Sequence, residues 1–453
     1  MTAHDGIVAS VLCIVALNAW SAAAPAQAGQ PAPQQVPTQQ VAPDRLSAAQ
    51  RAAAIRDIQA EIRKAYVFPG KRKVIVSALS QAQRAGRYDI DGASLFAEAV
   101  TADLRAAGHD EHLYLRYEPA WYAAATAPAS SEHDDELDFE RQLAAQDHHG
   151  LREMRLLLGN VRYLRITAFS WIPDQTGAAY DDAMRFLRDG DALIIDLRGN
   201  TGGSSSATQY LVSHFLDENV LLYTFESQQE PTWQSRTLGY LPAGRLKGKP
   251  LYVLTDRRTR SAGEDVAYQV SQYKLGELVG TTTAGAANNN EHVPVAPGFR
   301  LSVSVGRPVH PVSGGNWEGE GVKPTVEAPA AQAFEVAYSL ALERLEKNEA
   351  APPDLRAEYS WARAGAQARL HPVSISEPQL RSLAGKAGPV SVAFRDGALW
   401  MTRPNRDPEH LIPMTGDGMF SVEGIDELRV RITPQALMLY LLGDPEPRTY
   451  PRS

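Results

Sequence analysis

A hydroxyl free to attack, an imidazole to take its proton and backbone N–H groups turned toward open space are the requirements of acyl transfer. Ser261 is the candidate hydroxyl. It lies in Thr259-Arg260-Ser261-Ala262-Gly263-Glu264, directly after the apolar run Pro250–Leu254 and at the start of an amphipathic stretch. At such a strand-to-helix junction a hydroxyl is held clear of the sheet, and the N–H groups and dipole of the helix face whatever binds there. The segment also reads as an ordinary helix N-cap, because serine is a preferred capping residue and Glu264 stands three positions on, in capping-box spacing. Taken alone, the segment favours the cap.

The second candidate is the turn Asp196-Leu197-Arg198-Gly199-Asn200-Thr201-Gly202-Gly203, which follows the apolar strand Ala192–Leu197. Adjacent glycines let N–H groups project without obstruction, which suits an oxyanion hole or a phosphate nest. The lysine and spacing of a P-loop are missing, as is the dinucleotide glycine pattern, so Gly202 and Gly203 point to an oxyanion site. A tight turn needing positive φ explains them as well.

A serine nucleophile needs a base. The loop Gly280–Ala286 contains no lysine, and among the eleven histidines His112 stands out at a loop-to-strand boundary in Gly108-His109-Asp110-Glu111-His112. A rigid strand there can aim an imidazole. His109 and Asp110 are alternatives in the same turn. These three are metal-ligand types too, but no second cluster completes a site, so no metal is expected. A carboxylate to orient the histidine could come from Asn316-Trp317-Glu318-Gly319-Glu320-Gly321-Val322, where spacing does not choose between Glu318 and Glu320.

Around these segments the chain alternates strands and helices, which predicts a layered α/β core. The helical spacing of Ala52, Ile55, Ile58, Ile62 and Tyr66, with stretches near Lys73–Ala85 and Ala93–Ala107, predicts a helical N-terminal subdomain over 45–118. Residues 119–150 are polar and acidic and read as a connector or long loop. The core then occupies 151–348. Beyond Ala351-Pro352-Pro353 come a short helical piece and several short strands, a β-rich accessory domain over 349–453, with Asp396-Gly397 marking a hairpin.

The N-terminus reads as an export signal over 1–28. Ile7–Trp20 is apolar but too short to span a bilayer, and Ala26-Gln27-Ala28 suits a signal peptidase, although no positive n-region precedes it. The only cysteine, Cys13, lies within it, so the mature chain would hold no thiol or disulfide. Residues 29–44, rich in Pro, Gln and Ala, form a disordered leader. A net charge of −8 across 453 residues argues against a nucleic-acid binder and provides no polybasic membrane patch. A periplasmic or secreted protein of bacterial type, with no membrane span after signal removal, is expected; its oligomeric state is not legible.

Six motifs in order carry a family resemblance: Ala102-Asp103-Leu104-Arg105 with His109–Leu113, Gly159–Leu164, Asp196–Gly203, Thr259–Glu264, Leu278–Gly285 and Gly315–Val322. From about Leu46 to Leu345 the chain resembles the tail-specific, or C-terminal processing, serine peptidases, in particular their branch akin to interphotoreceptor retinoid-binding protein and the tricorn protease core. The resemblance implies a crotonase/ClpP-like core and no cofactor. It makes Ser261 the nucleophile, with Ala262 N–H and Gly203 or Gly202 as oxyanion donors. The dyad lysine of other branches would fall at about Ala286; its absence implies the histidine-using branch, with His112 as base and Glu318 as its carboxylate. The substrate would be a peptide or a partly unfolded protein. Thr325 replaces the family's usual aspartate, and no PDZ insertion is evident, so recognition of a substrate's tail is not implied. The retinoid-binding relatives carry lipids, which makes an apolar-ligand carrier the alternative; the intact serine, histidine, glutamate and glycine set favours the enzyme.

Overall fold

A computed structural model describes residues 45–127, 133–173, 175–227 and 230–452, with backbone alone for 133–137. The expected signal peptide, Cys13 and the leader lie outside them. No helix among the described residues is long and apolar enough to cross a membrane.

The chain divides into two compact units. The first comprises the described residues up to 137 together with 225–227, 230–233 and 288–309. Its helices Ala48–Ala65, Pro69–Arg84 and Ala93–Gly108 follow the expected apolar stripes. The first is opened by a reciprocal capping box, Gln50 N–H to Ser47 Oγ at 3.2 Å and Ser47 N–H to Gln50 Oε1 at 2.8 Å. Ile55, Ile58, Ile62 and Phe96 are fully buried in one core with Phe299, Leu301 and Val303. Those last three alternate along strand Phe299–Val309, putting one face of the strand into the core. Tyr114–Tyr117 pairs antiparallel with it, Tyr114 opposite Ser302, and so does Asn289–Val295, Val295 opposite Phe299.

In the second unit a six-stranded sheet runs in the order Val326–Glu327, Glu277–Gly280, Leu251–Thr255, Ala192–Asp196, Val161–Ile166, Leu151–Leu157. All pairs are parallel except the last. Every residue of Ala192–Asp196 and Leu251–Thr255 is buried, the mark of strands covered on both faces. Helices Ala333–Glu346 and Pro353–Leu370 close over one face, where Ala337, Ala341 and Leu342 meet Ile194 and Leu254. Helix Thr176–Arg188 packs against Val161–Ile166, and Ala262–Gln272 packs against Leu251–Thr255.

The C-terminal part is an eight-stranded antiparallel meander, each strand beside its sequence neighbour, and a bridge from Ala387 to Arg452 joins its ends. Leu399, Met401, Phe420 and Val430 fill its interior. Asp396 and Gly397, at φ 50° and 81°, make the anticipated hairpin turn. The α/β expectation, with helices first and a β-rich region last, holds. The acidic stretch differs from a long loop, because it contains helices Pro119–Thr126 and His133–Gln146.

Candidate active site

Strand Leu251–Thr255 leads into a turn organised by Asp256, whose Oδ1 accepts the N–H groups of Gly199, Arg258 and Thr259 at 2.9–3.0 Å. Burial pushes the Asp256 carboxyl up, but these N–H groups and the Arg258 guanidinium outweigh it and hold the group below its ordinary range. Thr259 Oγ1 donates to Leu197 O at 2.8 Å, so the turn carrying Ser261 and the glycine turn are fastened together.

Ser261 occupies φ 50°, ψ −119°, a sparsely populated conformation for any residue with a side chain. The capping-box arrangement is present. Ser261 N–H donates to Glu264 Oε2 at 2.9 Å, and Glu264 N–H, which faces the Ser261 side chain in capping-box arrangement, makes its hydrogen bond to the Ser261 carbonyl at 2.8 Å. A serine on a strained strand-to-helix turn is how a nucleophile is presented.

Glu264 is the residue whose role the sequence concealed. Fully buried, it accepts four hydrogen bonds: Thr283 Oγ1 at 2.5 Å, Gly285 N–H at 2.6 Å, Ala286 N–H at 2.8 Å and Ser261 N–H. Burial pushes its pKa up while these donors pull it down. The Ser261–Glu264 spacing was the only signal, and it reads equally as a cap. Ala286, where a dyad lysine would fall, is 1% exposed and tied to this carboxylate.

In the glycine turn, Asn200 is fully buried, donates to Ile166 O at 2.9 Å and accepts Gly202 N–H at 2.9 Å. The Gly202 donor is therefore engaged. Gly203 N–H and Ala262 N–H have no partner among the described residues, the latter as an orphan of the first helical turn. At Gly203, φ is 136° and a Cβ would lie 2.2 Å from Phe169 O; at Gly202 it would lie 2.7 Å from the Ser261 Cβ. Only glycine fits at either position.

Glu318 and Glu320, inseparable by spacing, differ in place. Glu318 is half-buried, with Oε2 accepting Ala287 N–H at 2.7 Å and its own N–H donating to Asn316 Oδ1, while Glu320 is exposed. Trp317 between them is buried and donates to Ala286 O at 3.1 Å.

The histidine turn belongs to the first unit. His109 is the left-handed, exposed cap of helix Ala93–Gly108. Asp110, 2% exposed, accepts from Tyr66 OH at 3.1 Å, Asn288 Nδ2 at 3.2 Å and His112 N–H at 2.9 Å. It therefore fixes the backbone of half-buried His112 just before strand Tyr114–Tyr117.

Residues 160–328 match the model of peptidase family S41. Over that segment the chain is similar to the family. Ser261, Ala262, Gly202, Gly203, Glu264, Glu318 and Glu320 fall inside the S41 segment, and His112 and Asp110 precede it. The chain is 26% identical over 171 residues to the carboxy-terminal processing protease CtpB of Bacillus subtilis, covering 37% of this chain and 34% of that one. It is 29% identical over 195 residues to the putative tricorn protease homolog 2 of Streptomyces coelicolor, covering 40% and 16%. The chain thus spans about a third or less of the length of these relatives. Among solved structures, mature CPAF aligns with 67% of this chain and 99% of its own at 13% identity and a TM-score of 0.46.

Proposed function

We propose that the chain is an exported serine peptidase that cleaves peptides or partly unfolded proteins through an acyl-enzyme. In this mechanism Ser261 attacks the scissile carbonyl, His112 takes its proton and returns it to the leaving amine, and Glu318 orients the imidazole. The N–H groups of Gly203 and Ala262 receive the oxyanion, each contributing about 3 to 4 kcal/mol to lowering the barrier. Water then releases the acyl group by the same proton path in reverse.

The observation that carries this reading is Ser261 at positive φ on a strand-to-helix turn, with the N–H groups of Gly203 and Ala262 without a partner among the described residues. Export rests on Ile7–Trp20 and the Ala26-Gln27-Ala28 site. The test is covalent labelling by a fluorophosphonate. Labelling of the native chain that vanishes in Ser261→Ala and falls at least a hundredfold in rate in His112→Ala is expected. A native chain that stays unlabelled, or label retained by Ser261→Ala, overturns the proposal.

A further inference from the structure

Strand Leu151–Leu157 ends the six-stranded sheet of the second unit, pairing with Val161–Ile166 on one side and with no described strand on the other. An open edge is a row of unpaired backbone donors and acceptors, and proteins usually blunt it with charged side chains, proline, a bulge or a cover. This strand contains no proline, and its charges, Arg152, Glu153 and Arg155, are of both signs and so can attract as well as repel a second strand. A register shift lies between Leu151 and Glu153, which leaves Glu153–Leu157 regular. Residues 152–156 are all exposed, Met154 at 43% and Leu156 at 61%.

We propose that a second copy of this chain adds to this edge, antiparallel and across a two-fold axis at Met154, to make one continuous sheet. The choice of partner follows from the order of charges. An axis normal to the sheet preserves faces, so residues directly opposite share parity and the axis must pass through a residue. On Met154 it sets Glu153 opposite Arg155 of the second copy and Arg155 opposite the second Glu153, two attractive cross-strand pairs on one face, with the Met154 side chains in contact on the other. On Glu153 it would oppose two glutamates, and on Arg155 two arginines.

Arg155 is already placed for this. Its guanidinium lies 4.3 Å from the Tyr163 ring centre and 4.9 Å from that of Phe334, and its Nε is 3.0 Å from Glu153 Oε1. A side chain held by stacking loses little freedom on meeting a partner. The inference is independent of the peptidase reading, since none of these residues belongs to the candidate active site.

Sedimentation velocity of the full chain over a range of concentrations tests it. Twice the monomer mass is expected for the native chain, monomers for Glu153→Arg and for Arg155→Glu, and restored dimers when both reversals are combined. Circular dichroism confirms that each exposed-site variant is folded. In a chain carrying Cys13→Ser, Met154→Cys is expected to form a symmetric disulfide under mild oxidation, because directly opposed antiparallel residues lie within disulfide reach. A native chain that is monomeric throughout, dimers indifferent to either single reversal, or a double reversal that stays monomeric each overturns the proposal. A monomer whose edge is instead protected by an added peptide is also such a result.

Discussion

Ser261 holds a backbone conformation that costs on the order of 1 to 3 kcal/mol, so neighbouring interactions must hold it. Glu264 does so, by accepting Ser261 N–H while also gathering Thr283, Gly285 and Ala286. Replacing it with alanine leaves four donors without this acceptor, three of them buried, and at roughly 1 to 3 kcal/mol for each unsatisfied buried group a loss of about 3 kcal/mol or more is expected. Glu264→Gln keeps the shape but turns an amide NH2 toward groups that themselves donate. Its expected signature is a smaller loss of stability together with a tenfold or greater fall in the rate of fluorophosphonate labelling. Wild-type labelling by the glutamine variant would assign Glu264 to packing alone. The residue was visible in the sequence as half of a capping box; its work was not, because Thr283, Gly285 and Ala286 arrive from the far end of the following helix and strand. Asn200 was hidden for the same reason, as the Gly202 N–H it engages and the Ile166 carbonyl it reaches are joined only by the fold.

At the scale of elements, two turns that follow adjacent strands are tied by one carboxylate. Asp256 accepts from Gly199 in the first turn and from Arg258 and Thr259 in the second, and its pKa lies below the ordinary carboxylate value. A depressed folded value means that the stabilisation is present above the unfolded pKa of about 4 and is lost as pH falls through the lower folded one. Denaturant midpoints taken from about pH 5 to about pH 2 are therefore expected to fall less steeply in Asp256→Ala than in the native chain, and equal slopes would remove Asp256 from this role. The strands that position these turns were legible because Ala192–Ile195 and Leu251–Leu254 are unbroken apolar runs, each followed shortly by turn residues. Helix Pro119–Thr126 was not, since it buries none of its residues and so has no apolar stripe to read. Gly385–Ala387, Glu409–Pro413 and Arg448–Pro451 escaped as strands because they are short and rich in charge, glycine or proline, and depend on neighbours for their pairing.

For the molecule as a whole, acid sensitivity is expected to begin well above the carboxylate range, because three histidines are held neutral. Burial pushes His214, His292 and His310 down to about 4. His310, fully buried, sits among Tyr223, Tyr268 and Tyr273 with ring centres 4.9–5.5 Å away. Its Nδ1 accepts Val312 N–H at 3.2 Å, leaving Nε2 to donate to Gln269 Oε1 at 3.3 Å, so the tautomer is fixed and a second proton would have no acceptor there. The unfolded chain takes up a proton at each histidine near pH 6.5 and the folded chain does not, so stability is full above that value and declines as pH falls toward about 4. Each fully buried histidine contributes a slope of roughly 1.4 kcal/mol per pH unit across that interval. His310→Gln can still accept from Val312 and removes the titration. Unfolding free energies measured at about pH 7 and about pH 5 should then differ by roughly 2 kcal/mol less in the variant than in the native chain. An unchanged difference would mean that the imidazole takes its proton inside the folded chain, and that the aromatic nest around His310 opens to water below neutrality.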